Sequence, residues 1–349
     1  MLKVLVVDDS ALMRKHLRAI LQETGEFEVV TARDGRDALE QVAAENPDVI
    51  TLDINMPVMD GLECLSRIMT EAPRPVVMVS SLTKEGALAT FEALELGAVD
   101  YVLKPGGTMS LNLREVSEEI RAKVRAAARA RRRPRPSLPR RPTPVAVPRP
   151  ARAALKPVTD IPGLVLIGVS TGGPSTLELI LTELPAEFPW PVLIAQHMPA
   201  RFTGVFAERL NGRCALEVRE VDGLTSLQPG QILIARGEAD AVVGRRAGKL
   251  VALNMPPDQS LWHPSVDRMV RSALDHFPAE RLVGVELTGM GYDGAEAMAE
   301  LHRRGGRTIA ESEDSAVVFG MPKELIERGG ADAILPAGQI ADKLLRWIG

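Results

Sequence analysis

The sequence predicts an α/β protein with two domains, each built on a parallel β-sheet. The chain has 349 residues, whereas an average domain has about 100 to 200. In both halves, short apolar runs alternate with helical segments, which is typical of parallel sheets covered by helices. Between the halves, residues 134–162 contain nine prolines, which exclude a continuous helix or strand there.

Apolar runs mark the predicted strands. In the first half they are residues 2–7, 49–52, 76–79 and 99–103, with helical segments such as 11–22 and 38–44 between them and a further helical pattern over 111–133. In the second half they are residues 164–167, 192–195, 231–235 and 282–287. Ligands bind at the carboxyl ends of parallel strands, so the residues that follow these runs are the functional candidates.

The charge is unevenly distributed along the chain. The formal net charge is −4, yet residues 121–156 contain 13 lysines and arginines and no acidic residue. The flanking regions, residues 1–120 and 157–349, are both acidic. The overall composition is 45% hydrophobic and 25% charged, which excludes a chain that is disordered as a whole. We therefore expect two acidic domains joined by an Arg/Pro-rich linker, residues 123–160.

The sequence also favours a cytoplasmic location. Its two cysteines, Cys64 and Cys214, are far apart, and no Cys or His residues have metal-ligand spacing, so a reducing compartment is expected. No apolar run reaches the roughly 20 residues that a membrane helix needs. The apolar start indicates a buried strand rather than a signal peptide. We expect no membrane insertion.

Five polar residues follow the predicted strands of the first half: Asp8, Asp9, Asp53, Ser80 and Lys104. Three carboxylates at one sheet edge repel one another and need a cation, and Mg²⁺ suits because it takes carboxylates, waters and phosphate oxygens. Asp53 ends the central strand and is the predicted phosphate acceptor. Ser80 and Lys104 would contact the phosphoryl oxygens, and the Lys104–Pro105 bond is a candidate cis bond.

A simpler interpretation exists for some of these residues. The segment Asp8-Asp9-Ser10 is a good helix N-cap, and Met59-Asp60-Gly61 is a common turn. All five side chains in this order on successive strand ends are difficult to explain as caps.

Residues 1–122 resemble a response-regulator receiver domain through the motifs VLVVDDS, LDINMPVMDG, VVMVSS and DYVLKP. The resemblance implies a flavodoxin-like fold and phosphorylation of Asp53 by a histidine kinase. It also implies that Asp8, Asp9 and Asp53 bind Mg²⁺ together with the backbone carbonyl of Asn55. Ser80 and Tyr101 would be the pair that rearranges on phosphorylation, and Lys104 the phosphate-binding lysine.

In the second half, Gly168-Val-Ser170-Thr-Gly172 follows a predicted strand and precedes a predicted helix. This G-x-S-x-G pattern is typical of a nucleophilic serine exposed on a tight turn. Two alternatives remain. Ser170 or Thr171 could cap the helix, or the loop could bind a nucleotide phosphate, although it lacks the spacing of the glycine motifs for nucleotides.

A nucleophilic serine needs a base and an orienting carboxylate. His197 follows the next predicted strand and is the favoured base, with His263 as the weaker rival. Asp293 lies in a glycine-rich turn after a further strand, where it could orient the imidazole or cap a helix. The Met290 N–H in that turn is an oxyanion-hole candidate. The order Ser, His, Asp differs from that of standard α/β-hydrolases, so that fold is not implied.

Residues 161–348 resemble the catalytic domain of the CheB family, the chemotaxis protein-glutamate methylesterases, a doubly wound parallel-sheet α/β domain. The matching segments are IGVSTGGP, QHMPARFTGVFAERLN, HPSVDRMV, LTGMGYDG and VVFGMPKE. The resemblance implies hydrolysis of glutamyl methyl esters on methylated chemoreceptors, with glutamine deamidation in many members and no esterase cofactor. It assigns Ser170 as nucleophile, His197 as base and Asp293 as orienting acid, and implies that the unphosphorylated receiver blocks the esterase.

The loop Ala235–Asp240 departs from the family pattern, which usually has a Pro-Gly-Gly-x-His-like sequence there. This departure bears on substrate positioning and leaves the triad residues in place. Some members of the CheB family have Glu at the position of Asn55. A non-catalytic output is the alternative function, because the basic linker could bind nucleic acid with a strong salt dependence. No helix-turn-helix or zinc finger is evident and prolines interrupt the linker, so we expect no nucleic-acid partner.

Overall fold

The computed structural model describes residues 1–104, 113–130 and 161–349. The chain divides into two compact units, residues 1–133 and 134–349. Most of the predicted linker, residues 131–160, lies outside the described residues, and so does Pro105 of the predicted cis bond.

Strands and helices alternate along the described part of the first unit. They are β1 (Leu2–Val7), α1 (Ala11–Gln22), β2 (Phe27–Ala32), α2 (Gly35–Glu45), β3 (Val49–Asp53), α3 (Gly61–Glu71), β4 (Val76–Ser80), α4 (Lys84–Leu96), β5 (Asp100–Leu103) and α5 (Leu113–Ala130).

The five strands form one parallel sheet in the order β2-β1-β3-β4-β5. This order confirms the predicted flavodoxin-like fold. Every residue of β3 and β4 is buried, which explains why their sequences are continuous apolar runs. The structure adds β2, which was not among the predicted strands, because this strand at the sheet edge mixes buried, intermediate and exposed residues instead of forming such a run.

Short polar side chains begin the helices of this unit. Ser10 caps α1 and Asp60 caps α3, each by accepting a hydrogen bond from a backbone N–H of the first turn. Gly61 follows Asp60, and a Cβ at Gly61 would collide with the Asp53 carbonyl oxygen. The Met59-Asp60-Gly61 segment is therefore structural, as the simpler interpretation held, and it packs α3 against the end of β3.

Helix α5 carries the first basic residues of the Arg-rich region. Arg121 pairs with Glu23 at 2.5 Å, and Arg125 pairs with Glu26 at 2.8 Å. Lys123 donates to the Tyr101 carbonyl at 2.9 Å. The predicted boundary between residues 122 and 123 falls inside this helix, and these three charges serve contacts within the first unit.

The second unit contains more elements, described from residue 161 onward. They are β6 (Leu164–Val169), α6 (Gly173–Leu181), β7 (Val192–Gln196), α7 (Ala200–Arg213), β8 (Glu217–Glu220), β9 (Leu224–Ser226), β10 (Gln231–Ile234), β11 (Asp240–Arg246), β12 (Lys249–Met255), α8 (Val266–Leu274), β13 (Leu282–Glu286), α9 (Ala295–Arg303), β14 (Arg307–Glu311), α10 (Met321–Glu327), β15 (Ala333–Leu335) and α11 (Ile340–Ile348).

Seven strands of this unit form a parallel sheet in the order β15-β14-β13-β6-β7-β10-β8, which confirms the predicted α/β architecture. The unit also has an antiparallel sheet, β11-β12-β9, that the apolar runs did not predict. The adjacency of β13, β6 and β7 matters most, because the three turns that follow these strands carry Asp293, Ser170 and His197.

No helix in the described part of the chain combines the length and apolar character that a bilayer-spanning segment needs.

Candidate functional site

Asp8, Asp53 and Lys104 meet at the carboxyl edge of the first sheet. Lys104 Nζ lies 2.7 Å from Asp53 Oδ2 and 3.2 Å from Asp8 Oδ2. Both carboxylates are buried, while Asp9 is exposed beside them. The strand order explains this meeting, because β1 and β3 are neighbours and β5 ends two strands away from β3.

The electrostatics of this cluster follow from burial and from these contacts. Burial raises the pKa of Asp53, the Asp8 charge adds to the rise, and the hydrogen bond from Lys104 opposes it only in part. Burial would lower the pKa of Lys104, but the Asp53 and Asp8 carboxylates outweigh it and raise that pKa instead. The lysine therefore stays charged and partly neutralises the cluster.

The donor set suits a hard cation. One oxygen each from Asp8, Asp9 and Asp53 can be chosen so that all three lie within 4.8 Å of one another. Mg²⁺ prefers such oxygens and keeps several waters, for which the exposed Asp9 leaves the site open. Asn55 is exposed nearby, and its N–H donates to Asp53 Oδ1 at 3.4 Å.

The two predicted switch residues, Ser80 and Tyr101, contact helices. The buried Ser80 hydroxyl donates to Gly86 O at 3.2 Å and accepts from Thr90 Oγ1 at 2.9 Å, so it is bonded to α4 rather than to the carboxylates. Tyr101 is buried, and Lys123 Nζ lies 4.9 Å from the centre of its ring. The structure thus brings Asp8, Asp9, Asp53 and Lys104 together and holds Ser80 and Tyr101 against helices.

The predicted nucleophile of the second unit lies on a tight turn between β6 and α6. Ser170 is partly exposed, and its N–H donates to Thr288 O at 2.9 Å. Gly172 has a φ of +77°, which a side chain rarely permits, and a Cβ there would lie 2.6 Å from Val317. Gly172 is itself the N-cap, and α6 has no side-chain cap, so the alternative that Ser170 or Thr171 caps this helix is not observed.

His197 lies on the adjacent turn and is paired with Asp293. The backbone N–H of His197 donates to the carbonyl oxygen of Val169, the residue before Ser170, at 3.0 Å. The ring Nε2 of His197 lies 2.9 Å from Asp293 Oδ2. The ring is 11% exposed and the carboxylate 3% exposed. His197 Nδ1 is buried and has no hydrogen-bond partner in the described residues. With Nε2–H bonded to Asp293, Nδ1 is the free basic nitrogen of the neutral ring.

Asp293 is held by the start of α8, a contact that no sequence motif predicted. Its Oδ2 accepts from Val266 N at 2.7 Å, and its Oδ1 accepts from Asp267 N at 3.1 Å and from Ser265 Oγ at 3.2 Å. It does not cap α9, whose N-cap is Gly294. Burial would raise the pKa of Asp293, but the hydrogen bond and charge of His197 and these N–H groups outweigh it and lower the pKa.

The turn of Gly289 and Met290 lies directly against the serine. A Cβ at Gly289 would lie 2.8 Å from the Ser170 Cβ, so only glycine permits this approach. No hydrogen bond to another described residue engages the Met290 N–H. A free backbone donor beside the serine suits the stabilisation of an oxyanion.

The rival histidine lies elsewhere. His263 Nδ1 is 3.0 Å from Asp240 Oδ1, so His263 has a carboxylate partner of its own and is not paired with Asp293. Asp240 is the first residue of β11. Neither Asp240 nor Trp262 was predicted as a site residue, because Trp262 lies just before the matching segment HPSVDRMV and Asp240 begins the antiparallel strand β11, which the apolar runs did not predict.

Glu311, at the end of β14, supports the Gly289 turn. Its Oε2 accepts from Thr288 N at 2.8 Å, and its Oε1 accepts from Ser315 Oγ at 2.8 Å. Burial raises the pKa of Glu311 to about 7, although both hydrogen bonds oppose the rise. A carboxyl whose pKa is higher in the folded state than in the unfolded state stabilises the fold at low pH and loses that contribution as the pH rises.

We therefore expect Glu311→Gln to flatten the pH dependence of stability. Glu311 ionises near the ordinary pKa of 4.5 in the unfolded chain but only near 7 in the folded chain, so the wild type should lose about 3 kcal/mol of stability across this range, a loss that an amide avoids. Urea unfolding of both proteins at pH 5 and pH 8 measures this. Between these two pH values we expect the variant to gain about 2 to 3 kcal/mol relative to the wild type. An equal loss in both proteins would show that Glu311 does not titrate in this range.

Comparison with known proteins first defines the class. Residues 4–114 match the family model of the response regulator receiver domain, and residues 165–344 match that of the CheB methylesterase. The chain is thus a response regulator with an output domain of the methylesterase class. It belongs to the CheB methylesterase family.

Relatives along the whole length agree. The chain is 57% identical to protein-glutamate methylesterase/protein-glutamine glutaminase 3 of Rhodospirillum rubrum, over 100% of this chain and 96% of that protein. It is 50% identical to the corresponding protein 2 of Carboxydothermus hydrogenoformans, over 99% of each. The crystal structure of the Thermotoga maritima CheB methylesterase catalytic domain matches 53% of this chain and 97% of that one, with 38% identity and a TM-score of 0.51.

Proposed function

We propose that this chain hydrolyses glutamyl methyl esters on methylated chemoreceptors through Ser170, His197 and Asp293. The observation that carries the proposal is the His197–Asp293 pair at 2.9 Å on the turn beside Ser170. The names of the full-length relatives support the substrate class. Receptors and a histidine kinase of a chemotaxis-type pathway are the proposed partners, and the cytoplasm is the proposed location.

In this mechanism, His197 Nδ1 takes the proton of Ser170 Oγ as that oxygen attacks the ester carbonyl carbon. The Met290 N–H stabilises the oxyanion, and Asp293 stabilises the imidazolium. The imidazolium then gives its proton to the methoxy oxygen, and methanol leaves. His197 then takes a proton from a water that attacks the glutamyl-serine ester, and it returns this proton to Ser170 Oγ as that oxygen leaves, which releases the glutamate and restores the free serine. With a receptor glutamine, ammonia would leave in place of methanol.

Release of methanol from methylated receptor membranes tests this function. We expect release with the purified chain and none without it. Absence of release from receptors of the same organism, with phosphodonor and Mg²⁺ present, would contradict the proposed substrate class.

The first unit is the proposed regulator. Asp53 would accept a phosphoryl group from the kinase, and Lys104 would bind its oxygens. Asp8, Asp9 and Asp53, with the carbonyl of Asn55, are the proposed ligands of Mg²⁺, which would neutralise charge during phosphoryl transfer. Ser80 and Tyr101 are the proposed switch pair. Phosphorylation would relieve inhibition of the esterase by the receiver, which is an allosteric coupling between two sites.

Asp53→Asn is expected to remove activation while leaving basal activity. The amide cannot accept a phosphoryl group, whereas the esterase residues are untouched. The measurement is the rate of methanol release with and without a small-molecule phosphodonor and Mg²⁺. Glu40→Gln, which removes an exposed carboxylate from α2 of the same unit, serves as the control and should retain activation. Activation that persists in Asp53→Asn would contradict Asp53 as the phosphorylation site.

A further inference from the structure

Trp262 contacts two parts of the proposed esterase site. Its ring is parallel to the His197 imidazole within 5°, with 6.1 Å between ring centres. It also lies on Gly291, next to Met290, where an added Cβ would lie 2.6 Å from the indole. Tyr292, which precedes Asp293, meets the indole edge-on at 4.8 Å. One side chain thus links the imidazole to the turn that carries the proposed oxyanion donor.

A second imidazole–carboxylate pair holds the segment that carries Trp262. His263 Nδ1 lies 3.0 Å from Asp240 Oδ1, and His263 Nε2 lies 3.1 Å from Ser260 O. Asp240 is fully buried and also accepts from Ser265 N at 2.7 Å and from Arg268 Nη1 at 2.6 Å. The Asp240 carboxylate therefore fixes the chain that follows Trp262, from His263 to the first turn of α8.

Ser265 joins this pair to the catalytic pair. Its N–H donates to Asp240 Oδ1 at 2.7 Å, and its hydroxyl donates to Asp293 Oδ1 at 3.2 Å. The same residue caps α8, whose N–H groups bind Asp293. A displacement of the Trp262 segment would therefore change the positions of both His197 and Asp293.

His197 needs this support because Asp293 alone does not define its ring plane. One hydrogen bond at Nε2 constrains the rotation of the imidazole about its Cβ–Cγ bond only weakly, because Nε2 lies close to the axis of that bond. A parallel, offset aromatic ring beside the imidazole restricts that rotation. The geometry of a base relative to its nucleophile is decisive, because a misplacement of about 1 Å can cost about 100-fold in rate.

We propose that Trp262 is a positioning residue of the esterase, held by the Asp240–His263 pair, that sets the plane of His197 and seats the Met290 turn. This inference rests on the proposed roles of Ser170 and His197. It also gives a function to Asp240, the last residue of the loop that departs from the family pattern.

The test compares Trp262→Ala and Trp262→Phe in the full-length chain, with phosphodonor and Mg²⁺ present. For Trp262→Ala we expect kcat for methanol release to fall about 10- to 100-fold, as expected for a displaced base, with KM within about twofold of wild type. Trp262→Phe keeps an aromatic face and should recover kcat to within about threefold of wild type. His263→Ala should lower kcat in the same direction, since it releases the segment.

Two further measurements separate positioning from docking or misfolding. The rate at which a phosphonofluoridate labels the serine, a reaction without a receptor, should fall in parallel with kcat. Leu261→Ala, an exposed apolar neighbour in the same loop, is the control and should leave kcat unchanged. Wild-type kcat in Trp262→Ala, or a raised KM with unchanged kcat, would overturn the proposal. Activity that survives in Ser170→Ala would instead overturn the proposed function.

Discussion

Ser170→Ala is expected to abolish methanol release from methylated receptor membranes. Alanine removes the proposed nucleophilic oxygen from the turn after β6, the strand that lies between β7 and β13. Loss of the nucleophile in a serine hydrolase lowers kcat by about 10⁴- to 10⁶-fold, so the remaining rate should be close to background. Stability should change little, because the partly exposed Ser170 hydroxyl leaves no buried donor behind.

Ser175→Ala is the matched control for this variant. Ser175 is exposed in the first turn of α6, after the nucleophile turn, and its loss should leave the rate at the wild-type level. Substantial methanol release by Ser170→Ala, with the Ser175 control also active, would show that another group attacks the ester.

Asp293→Asn is the second substitution for which we expect a large effect, a fall in kcat of about 10⁴-fold. The N–H groups of Val266 and Asp267 donate to different oxygens of the Asp293 carboxylate. Asparagine has only one side-chain oxygen, which can take the place of only one of these two acceptors. If the amide nitrogen then faces His197 Nε2, the ring must place its proton on Nδ1. In that tautomer Nδ1 cannot accept the serine proton.

The measurement for Asp293→Asn is kcat together with thermal stability. Unsatisfied buried donors cost about 1 to 3 kcal/mol each, so a moderate loss of stability should accompany the loss of rate. Asp275→Asn, at an exposed position just after α8, is the control and should change neither. A variant at position 293 that stays folded and retains more than about a tenth of the wild-type rate would contradict the orienting role.

The residues at strand ends were predictable because parallel sheets gather them at one edge. Ser170, His197 and Asp293 follow β6, β7 and β13, and each of these strands is a continuous run of buried residues. The order in which the strands lie side by side was not predictable, because it depends on crossovers that no local pattern records. That order, with β13 beside β6 and β6 beside β7, is what makes the three turns adjacent.

The residues that support the site, Trp262, Asp240 and Glu311, could not be predicted from the sequence for a different reason. Trp262 lies in a loop whose conformation depends on Asp240. Asp240 is 22 residues earlier in the chain and begins β11 of the antiparallel sheet. The antiparallel strands β11 and β12 include exposed and partly exposed residues, so they form no long apolar run. Likewise, Glu311 supports Thr288 only because β14 lies beside β13. Tertiary contacts, rather than local preference, give these residues their roles.

In the receiver, too, some features of the site were predictable from strand ends and others depend on tertiary contacts. The positions of Asp8, Asp53 and Lys104 follow from strand ends, and their convergence follows from the sheet order. Ser80 also ends a strand, yet its hydroxyl is bonded to α4 through Gly86 and Thr90. The direction of a short side chain depends on the neighbouring helix, which the strand pattern does not specify.

The central claim is that Ser170 is the nucleophile and His197 its base. Identifying the side chain that an active-site phosphonylating reagent modifies tests this claim most directly. The full-length chain would be treated with a phosphonofluoridate, which mimics the tetrahedral intermediate, and the modified residue mapped by mass spectrometry of its peptides. We expect a single modification at Ser170 that is lost in Ser170→Ala and slowed in His197→Ala. Modification of Thr171 or Ser175 instead, or equal labelling of Ser170 without His197, would contradict the proposed roles of these residues.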